Sequence, residues 1–329
     1  MLPFLFLLKI LAAAIYVLII TVILFLILTV ISRYYQKAGQ RGWHHFTRIL
    51  RGMVLLLVLS PIVLGPLIYF YATYLEPNWI QVRTLTVKDS HFHERLRELK
   101  IVQISDLHIE KVGYRERRLV SVVNGLDPDV ILINGDFING KEGWEPAFQV
   151  LKQLRSQNGI YTILGNTDYY FASEGEILPV FADLGIKVLL YDNVKMDFGA
   201  RGSFWLAGLS NKYGEWAEYG ETKNLDKAFE GIPAGDSKIL LIHDPEQVKI
   251  KKLGEYAPQL ILAGDNHGGQ IGIPVLWQFS DYANRGPYMG GSYMVNGIPL
   301  YVNRGIGMKN LNMRFFCRPE VTVIKLLKR

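Results

Sequence analysis

The chain has 329 residues, and 50% of them are hydrophobic, which is a large share for a water-soluble protein. Its net charge is +6, but the basic residues do not alternate with aromatic residues in a stripe, so we expect no nucleic-acid partner. The single cysteine, Cys317, excludes an internal disulfide and a zinc site built on thiolates. We expect Cys317 to be a small buried hydrophobe.

Two apolar runs occupy the start of the chain, residues 10–31 and 53–74, and neither contains a charged residue. As a helix, at about 1.5 Å per residue, the first run is long enough to cross a hydrocarbon core of about 30 Å. It is too long for a cleaved signal peptide, and no A-x-A site follows it. Pro61, Gly65 and Pro66 interrupt the second run. We predict that the two runs form a membrane hairpin.

The link between the runs carries only basic charges, on Arg33, Lys37, Arg41, Arg48 and Arg51. The positive-inside rule places such a link in the cytoplasm. If both runs span the membrane, the rest of the chain lies outside the cytoplasm. If the second run is re-entrant or lies along the interface, the rest stays inside. Both arrangements remain open, since prolines in a membrane helix are tolerated when neighbours satisfy the freed backbone groups.

We divide the chain into a transmembrane hairpin at residues 1–75, a charged connector at 76–98 and one domain at 99–329. In that domain the strand-like runs VQIS, VILIN, YTILG and IKVLLY alternate with helix-like stretches, which is typical of a mainly parallel sheet. Later runs come closer together and indicate a second sheet: FWLAGL, KILLIH, QLILAG, LYVNRG and VTVIKLL. The predicted fold class is α/β, with two packed sheets and outer helices.

Several of these apolar runs end in side chains that bind metal ions. They are Asp106 and His108 in VQISDLH, Asp136 in ILINGD, Asn166 in TILGN, His243 in LLIH, and Asp265 and His267 in LILAGDNH. Ligands collect at the carboxyl ends of strands in open α/β sheets, so we expect these side chains to meet at one edge. Two divalent ions held there can clamp a phosphoryl group and activate water. The pattern favours an enzyme that acts on phosphate.

Each of these residues alone has a plainer explanation. His243 is compatible with a capping or core histidine, and Asp136 and Asn166 are compatible with turn residues. It is their combined order along the chain that indicates a metal site. Asp136 and Asn166 each follow a glycine, a residue that permits a tight turn, so the carboxylate of Asp136 could bridge two ions.

The order DLH, GD, GN, HDP and G-x-x-HGGQ resembles the calcineurin-like metallophosphoesterases, in their membrane-anchored bacterial branch. The resemblance covers about Lys100 to the C-terminus, and HGGQIGIP and YVNRGIG are further features of that branch. It implies two mixed β-sheets sandwiched between helices, with a binuclear metal site. The ions would be divalent, Mn²⁺ in the first place, with Mg²⁺, Fe²⁺ or Zn²⁺ as alternatives.

The resemblance also implies a role for each candidate site residue. Asp136 would bridge the ions, and Asn166 and Asp168 would help to position metal and phosphate. One ion would be held by Asp106, His108, Asp136 and His267, and the other by Asp136, Asn166, His243 and Asp265.

The chain departs from the family pattern at three positions, Thr167, Asp265 and Asn139, where the family has histidine, histidine and aspartate. Threonine cannot protonate a departing alkoxide at neutral pH, and such help is typically worth about 10²–10⁴-fold. A phosphate leaving group, as in pyrophosphate cleavage, is far less basic and can leave without it. Asp265 remains an oxygen ligand and favours a harder ion such as Mn²⁺ or Mg²⁺. The departures therefore favour a pyrophosphate substrate.

Within the family the chain is similar to the UDP-2,3-diacylglucosamine pyrophosphatases of lipid A biosynthesis, which release UMP and 2,3-diacylglucosamine 1-phosphate. This similarity implies a lipid-linked phosphate substrate, an inner-membrane location and a catalytic domain at the cytoplasmic face. Aromatic and apolar residues after the last motif would line an acyl-chain groove or pack the domain itself. They are Trp277, Phe279, Tyr282, Tyr288, Met289 and Tyr293, and a second group is Tyr213, Trp216 and Tyr219.

Three cations, Arg285, Arg304 and Lys309, could pair with substrate phosphates or remain solvated. Two other functions stay open. One is a broad phosphodiesterase or phosphatase of the cell envelope that faces outward. The other is a degenerate domain that binds metal or lipid without catalysis, which the substitutions at Thr167 and Asp265 would explain.

Overall fold

The computed structural model describes residues 2–211, 218–250, 252–273 and 286–329. The chain divides into two compact units, Met1–Tyr71 and Ala72–Arg329.

The first unit is a pair of long helices, α1 (Leu2–Lys37) and α2 (Arg41–Phe70), that pack against each other. Both are long and apolar enough to cross a membrane. Pro61 and Pro66 lie inside α2, and the helix nevertheless continues through its 30 residues. At about 1.5 Å per residue α2 is about 45 Å long, so the prolines do not shorten it below the thickness of a bilayer.

The second unit is built on two six-stranded sheets with helices outside them. The first sheet contains β1 (Gln81–Asp89), β2 (Ile101–Ile104), β3 (Val130–Ile133), β4 (Ile160–Thr162), β5 (Ile186–Val188) and β12 (Glu320–Lys328). The second contains β6 (Tyr191–Asp197), β7 (Ser203–Leu209), β8 (Lys238–Ile242), β9 (Leu260–Ala263), β10 (Gly291–Val295) and β11 (Ile298–Val302). The helices are α3 (Tyr114–Gly125), α4 (Trp144–Leu151), α5 (Asn166–Phe171), α6 (Glu174–Asp183), α7 (Glu218–Ala228) and α8 (Leu253–Tyr256).

Both sheets are mixed. The first runs β1-β12-β2-β3-β4-β5, with β2 to β5 parallel and β12 antiparallel to β2. The second runs β10-β11-β9-β8-β7-β6, with a parallel centre and antiparallel edges at β6 and β10. The prediction of two mixed sheets with flanking helices is confirmed.

One strand was assigned to the wrong sheet. VTVIKLL, which we expected in the second sheet, lies in β12 and pairs with β1 and β2 of the first. The expectation rested on the rule that strands close in sequence are neighbours in space. The chain instead returns to the first sheet, where Val321, Ile324 and Leu326 are fully buried.

The segment 76–98, predicted as a connector, contributes β1 to the first sheet. Its residues alternate between exposed and more buried positions along QVRTLTVKD, as expected for a strand with one covered face. It pairs in parallel register with β12, from Gln81 opposite Glu320 to Asp89 opposite Lys328. The compact second unit accordingly begins at Ala72 rather than at Leu99.

Apolar side chains fill three layers, one between the sheets and one on each outer face. Val130 and Leu132 of β3 pack between the sheets, while Ile131 and Ile133 of the same strand face the helices. All four are fully buried. A strand covered on both faces must be apolar at every position, which explains the uninterrupted run VILI.

A buried amide pair joins the two sheets at their carboxyl ends. The side chain of Asn134, directly after β3, donates hydrogen bonds to the carbonyls of Ile242 (2.9 Å) and Leu262 (2.8 Å). Its Oδ1 accepts one from Gln103 Nε2 at 2.8 Å, and the same Nε2 also donates to the carbonyl of Ala263 at 3.2 Å. These contacts tie the ends of β2 and β3 to those of β8 and β9.

We predict that Asn134→Leu lowers the free energy of unfolding by about 3 kcal/mol or more, because it leaves buried carbonyls of the second sheet without donors. Urea denaturation of the full-length protein in detergent measures it. Asn224→Ala on the half-buried face of α7 is the matched control, since alanine favours helix and the change should be small. Equal stability of the Asn134 variant and wild type would contradict this role.

Candidate metal centre

The structure brings together all seven residues predicted as metal ligands. They follow the carboxyl ends of β2, β3, β4, β8 and β9, where the two sheets meet. Asn166, at the start of α5, is half-buried, and the other six are at most 2% exposed. The six buried residues are Asp106, His108, Asp136, His243, Asp265 and His267. Carboxylates and imidazoles are withdrawn from water only when they are paired or bind metal ions.

Five of these residues adopt a left-handed backbone conformation, with φ between 40° and 64°. Such a conformation costs a residue with a Cβ roughly 1–2 kcal/mol. It turns the chain sharply where each strand ends, so that the side chain points across the edge of the sheet. Backbone strain concentrated in this way is typical of functional sites. The five are Asp106, His108, Asp136, Asp265 and His267.

Two glycines permit the close approach of the turns after β3 and β4. A Cβ on Gly135, whose φ is +80°, would lie 2.4 Å from the backbone nitrogen of Gly165. A Cβ on Gly165 would lie 2.2 Å from Asp136 Oδ1 and 2.7 Å from His243 Cε1. A larger residue at position 135 would push the two turns apart, and one at position 165 would displace the predicted bridging carboxylate.

Asp136 lies between two imidazole rings. Its Oδ2 is 3.4 Å from Nε2 of His108, and its Oδ1 is 3.4 Å from Nε2 of His243. The same His243 nitrogen is 3.5 Å from Oδ1 of Asp265. One carboxylate thus offers an oxygen to each half of the site, which is the arrangement required of a bridging ligand. Asp265, which stands where the family has histidine, also points into the site.

Asp106 and His267 complete the cluster. His267 Nε2 lies 3.6 Å from Asp106 Oδ1 and 3.1 Å from His108 Nε2. Possible ligand atoms lie within 4.8 Å of one another in two groups, and Asp106 belongs to both. The groups are Asp106, His108 and His267, and Asp106, Asp136 and His243.

The hydrogen bonds of the two histidines around Asp136 fit a metal ion. Nδ1 of His108 lies 3.3 Å from the carbonyl of Ile138, and Nδ1 of His243 lies 2.6 Å from the carbonyl of Asn134. A carbonyl only accepts, so each Nδ1 donates its proton to the carbonyl and each Nε2 is left facing a carboxylate oxygen. An imidazole nitrogen and a carboxylate oxygen that face each other in a buried site need a positive charge between them, which is a proton or a metal ion. A backbone carbonyl behind the ring in this way is usual for metal-binding histidines.

Electrostatics place His108, His267 and Asp136 in the protonation states that metals require. Burial lowers the pKa of His108 to about 4, and burial together with His108 lowers the pKa of His267 well below its usual value. Burial opposes ionisation of Asp136, but His243 and Lys309 hold the pKa of that carboxyl well below its usual value. At neutral pH the site therefore offers neutral imidazoles at His108 and His267 and a carboxylate at Asp136. Burial lowers the pKa of His243, but the carboxylates of Asp136 and Asp265 outweigh it and raise that pKa well above its usual value, so a metal ion would have to displace a proton there.

Asp168 fixes the backbone that carries Asp136. Its fully buried carboxylate accepts hydrogen bonds from the backbone N–H groups of Asp136 (2.9 Å), Phe137 (2.8 Å) and Gly165 (2.9 Å). It holds the turns after β3 and β4 together and thereby orients Asp136. Asp168 acts on the site through the backbone, and it remains a prediction that this orientation also positions phosphate.

Thr167 and Lys309 meet at the same carboxylate. Thr167 donates to Asp136 through both its backbone nitrogen (2.9 Å to Oδ1) and its hydroxyl (2.7 Å to Oδ2). Lys309 Nζ lies 2.9 Å from that hydroxyl and 3.2 Å from Asn166 Oδ1. Of the three cations predicted as phosphate partners, Lys309 is the one that the described residues place against the predicted ligands.

The remaining candidates lie elsewhere. Arg304 pairs with Glu320, with Nε 3.7 Å from the carboxylate. Tyr288 and Tyr293 pack against the outer core of the second sheet, and Met289 is buried. The side chains of Arg285, Trp277, Phe279, Tyr282, Tyr213, Trp216 and Tyr219 fall outside the described part of the chain.

Sequence reasoning gave Asn134 and Gln270 no role. Asn134 closes the run VILIN, and its carbonyl accepts the proton of His243 Nδ1. Gln270 follows His267 in HGGQ and holds the backbone nitrogen of Lys309 at 2.7 Å from its Oε1. A polar residue at the end of an apolar run was the available signal for Asn134. The partner of Gln270 is distant in sequence and carried no signal.

We predict that Gly165→Ala weakens the binding of Mn²⁺ about 10- to 100-fold, because the methyl group displaces the carboxylate of Asp136. Titration calorimetry of the metal-free protein measures the affinity. Gly125→Ala, where a Cβ would meet open space, is the control and should bind Mn²⁺ as wild type does. Wild-type affinity in the Gly165 variant would contradict the placement of Asp136 in the metal centre.

Comparison with known proteins agrees with this geometry. The family model described as calcineurin-like phosphoesterase matches residues 99–268. The chain is 30% identical over 267 residues to the uncharacterized metallophosphoesterase YkuE of Bacillus subtilis, covering 78% of this chain and 89% of that protein. It is also 30% identical over 240 residues to a transmembrane protein with metallophosphoesterase domain of Danio rerio, covering 71% of this chain and 54% of the fish protein.

Among solved structures, TT1561 of Thermus thermophilus aligns at 13% identity with a TM-score of 0.44, covering 63% of this chain and 90% of that one. The two candidate membrane helices, together with relatives named as transmembrane proteins, indicate that the protein is associated with a membrane. By the match of its family model and by its similarity to YkuE, the chain belongs to the calcineurin-like phosphoesterase family and is a metal-dependent phosphohydrolase.

Proposed function

We propose that the protein hydrolyses the pyrophosphate bond of a nucleotide-linked lipid, UDP-2,3-diacylglucosamine, to UMP and 2,3-diacylglucosamine 1-phosphate. The proposal includes two divalent ions, Mn²⁺ in the first place, held by the seven residues at the strand ends. The observation that carries it is the position of Asp136 between the Nε2 atoms of His108 and His243. This position supports a bridging role for Asp136 at the edge where the two sheets meet.

The chain's own residues hold and orient the reacting groups. When bound, two divalent ions supply Lewis acidity that polarises the phosphoryl oxygens and lowers the pKa of water. Asp106 belongs to both groups of possible ligand atoms, and Asp136 lies between His108 and His243. Asp168 keeps the turn of Asp136 in place through three backbone hydrogen bonds. Hydrolysis adds one water across the P–O–P bond, and each product leaves with one phosphate.

Thr167 supports a pyrophosphate as the substrate. Its hydroxyl proton is engaged with the carboxylate of Asp136, and the hydroxyl accepts a hydrogen bond from Lys309. A threonine held in this way does not act as a general acid. A sugar or alkyl alkoxide would need such an acid, whereas a phosphate leaving group is stable as an anion.

Exposed apolar side chains in two segments of the second unit, residues 72–79 and 304–317, support a lipid substrate. Trp79 is 55% exposed, Leu311 42% and Phe316 66%. The two segments are in contact, since the buried carboxylate of Glu76 accepts a hydrogen bond from the backbone nitrogen of Phe316, and Arg318 stacks on the Trp79 ring at 3.9 Å. Large apolar residues exposed together are typical of surfaces that meet a bilayer.

A second function is favoured by the continuity of α2. Because Pro61 and Pro66 do not break this helix, both helices are long enough to span. With the basic link in the cytoplasm, two spans would put the catalytic unit outside it, where a UDP-linked substrate is absent. The protein would then be a phosphodiesterase or phosphatase that acts on phospholipid or other material of the cell envelope.

We expect the full-length protein in detergent with Mn²⁺ to release UMP from UDP-2,3-diacylglucosamine at least about tenfold faster than phosphate from a simple alkyl monoester. The Asp136→Asn variant should release UMP about 10²-fold or more slowly than wild type, since an amide is a poor bridging ligand. A chelator should abolish the release. Asp183→Asn on the exposed end of α6 is the matched control. Faster turnover of the monoester would contradict the pyrophosphate assignment, and metal binding without any turnover would support the binding-only alternative.

The side of the membrane on which the catalytic unit lies distinguishes the two enzymatic functions without any substrate assay. We expect a fluorescent protein fused after Arg329 to fluoresce in the cell, because the proposed substrate requires a cytoplasmic catalytic unit. Alkaline phosphatase at the same position should be inactive. The opposite pair of results would overturn the UDP-lipid substrate and support the outward-facing phosphodiesterase.

A further inference from the structure

The ammonium group of Lys309 lies among the predicted metal ligands. Besides Thr167 Oγ1 and Asn166 Oδ1, its Nζ is 3.5 Å from Asp136 Oδ2. The side chain is 20% exposed, so Lys309 contacts the predicted ligands and is also accessible from solvent. Thr167 occupies the position at which the family has a histidine. A cation therefore lies beside the position from which that histidine is missing.

The loop that carries Lys309, residues 304–317, is held rigidly, and we name it the lysine loop. Gln270 binds it through the backbone nitrogen of Lys309 (2.7 Å) and the carbonyl of Leu311 (2.9 Å). The fully buried guanidinium of Arg314 donates to the carbonyls of Arg304 (2.9 Å) and Gly307 (2.6 Å). A cation on a loop fixed in this way is already in place before substrate binds, which is the condition for efficient electrostatic stabilisation.

The charge of the occupied site calls for an anion near Lys309. Asp106, Asp136 and Asp265 supply three negative charges to the ligand cluster. The carboxylate of Asp168 behind Asp136 adds a fourth. Two divalent ions and the ammonium together would carry five positive charges, so one positive charge would stay uncompensated. An ammonium this close to a metal centre disfavours metal binding unless an anion compensates it. The excess charge matches a bound phosphate group.

We propose that Lys309 binds the leaving oxygen of the substrate and stabilises the negative charge that develops there, in place of the histidine that the chain lacks. As the bond from the water oxygen to phosphorus forms, the bond from phosphorus to the leaving oxygen breaks, and its electron pair passes to that oxygen. Lys309 N–H donates a hydrogen bond to this oxygen and keeps its proton. The inference rests on the proposed function only in that the chain cleaves a P–O bond.

The experiment compares Lys309→Met and Lys309→Arg with wild type and with Lys325→Met, an exposed lysine of β12 that serves as the matched control. The full-length Mn²⁺-loaded proteins hydrolyse a series of aryl phosphodiesters whose leaving groups range from 4-nitrophenyl to phenyl. A phenolate leaving group needs more stabilisation than a nitrophenolate. We expect Lys309→Met to lower kcat about 10²- to 10³-fold on the phenyl ester and less than tenfold on the nitrophenyl ester. Lys309→Arg should restore most of the loss.

A second measurement does not depend on turnover. Calorimetry should show that Lys309→Met weakens the binding of inorganic phosphate to the Mn²⁺-loaded protein about tenfold or more, while Mn²⁺ itself binds at least as tightly as in wild type. An equal loss across the ester series, a loss of Mn²⁺, or unchanged phosphate affinity would overturn the proposal. If wild type cleaves the aryl esters but not UDP-2,3-diacylglucosamine, the lipid substrate is wrong and the role of Lys309 is still decided by the series.

Discussion

The metal centre depends on a fixed arrangement of the two sheets at their carboxyl ends. Hydrogen bonds from the buried amide of Asn134 hold the sheets together there. Its side chain binds the carbonyls at the ends of β8 and β9, while its own carbonyl fixes the ring of His243. The side chain of Gln103 adds a further link from β2. Because the predicted ligands follow these strands, a shift of one sheet against the other would separate the ligands. Satisfied buried polar networks specify one arrangement in this way.

With the sheets held in this way, the site brings together buried carboxylates and imidazoles that would be unfavourable without a cation between them. The Nε2 atoms of His108 and His243 face the oxygens of Asp136, and all three side chains are buried. Left-handed backbone at five ligands and the close contact of Gly135 with Gly165 add a conformational cost. The apolar layers on both faces of each sheet offset that cost. The site thus destabilises the metal-free protein, and bound metal ions would remove the repulsion between its buried groups.

The chemistry at the open side of the site follows from Thr167 and Lys309 together. In place of a side chain that gives up a proton, the protein holds a hydroxyl bound to Asp136 and an ammonium bound to that hydroxyl. Such a pair suits a leaving group that departs as an anion, such as a phosphate. The lysine loop also exposes Leu311 and Phe316. The same loop would therefore bring an apolar surface and a phosphate-binding cation close together, as a lipid phosphate requires.

The sequence alone determined the sandwich of two sheets and the apolar helices, because both are encoded locally as apolar runs. It also predicted which side chains meet at the strand ends, because each follows such a run as Asp, His or Asn. It did not determine the position of β12, the strand within the segment 76–98, or the contacts of Gln270 and Asn134. Each of these joins residues far apart in the chain, as β1 joins β12 and Gln103 joins Ala263. Local patterns specify which faces of an element are buried. Only tertiary packing decides which distant partner covers each face, because that choice depends on shape and hydrogen bonding across the whole core.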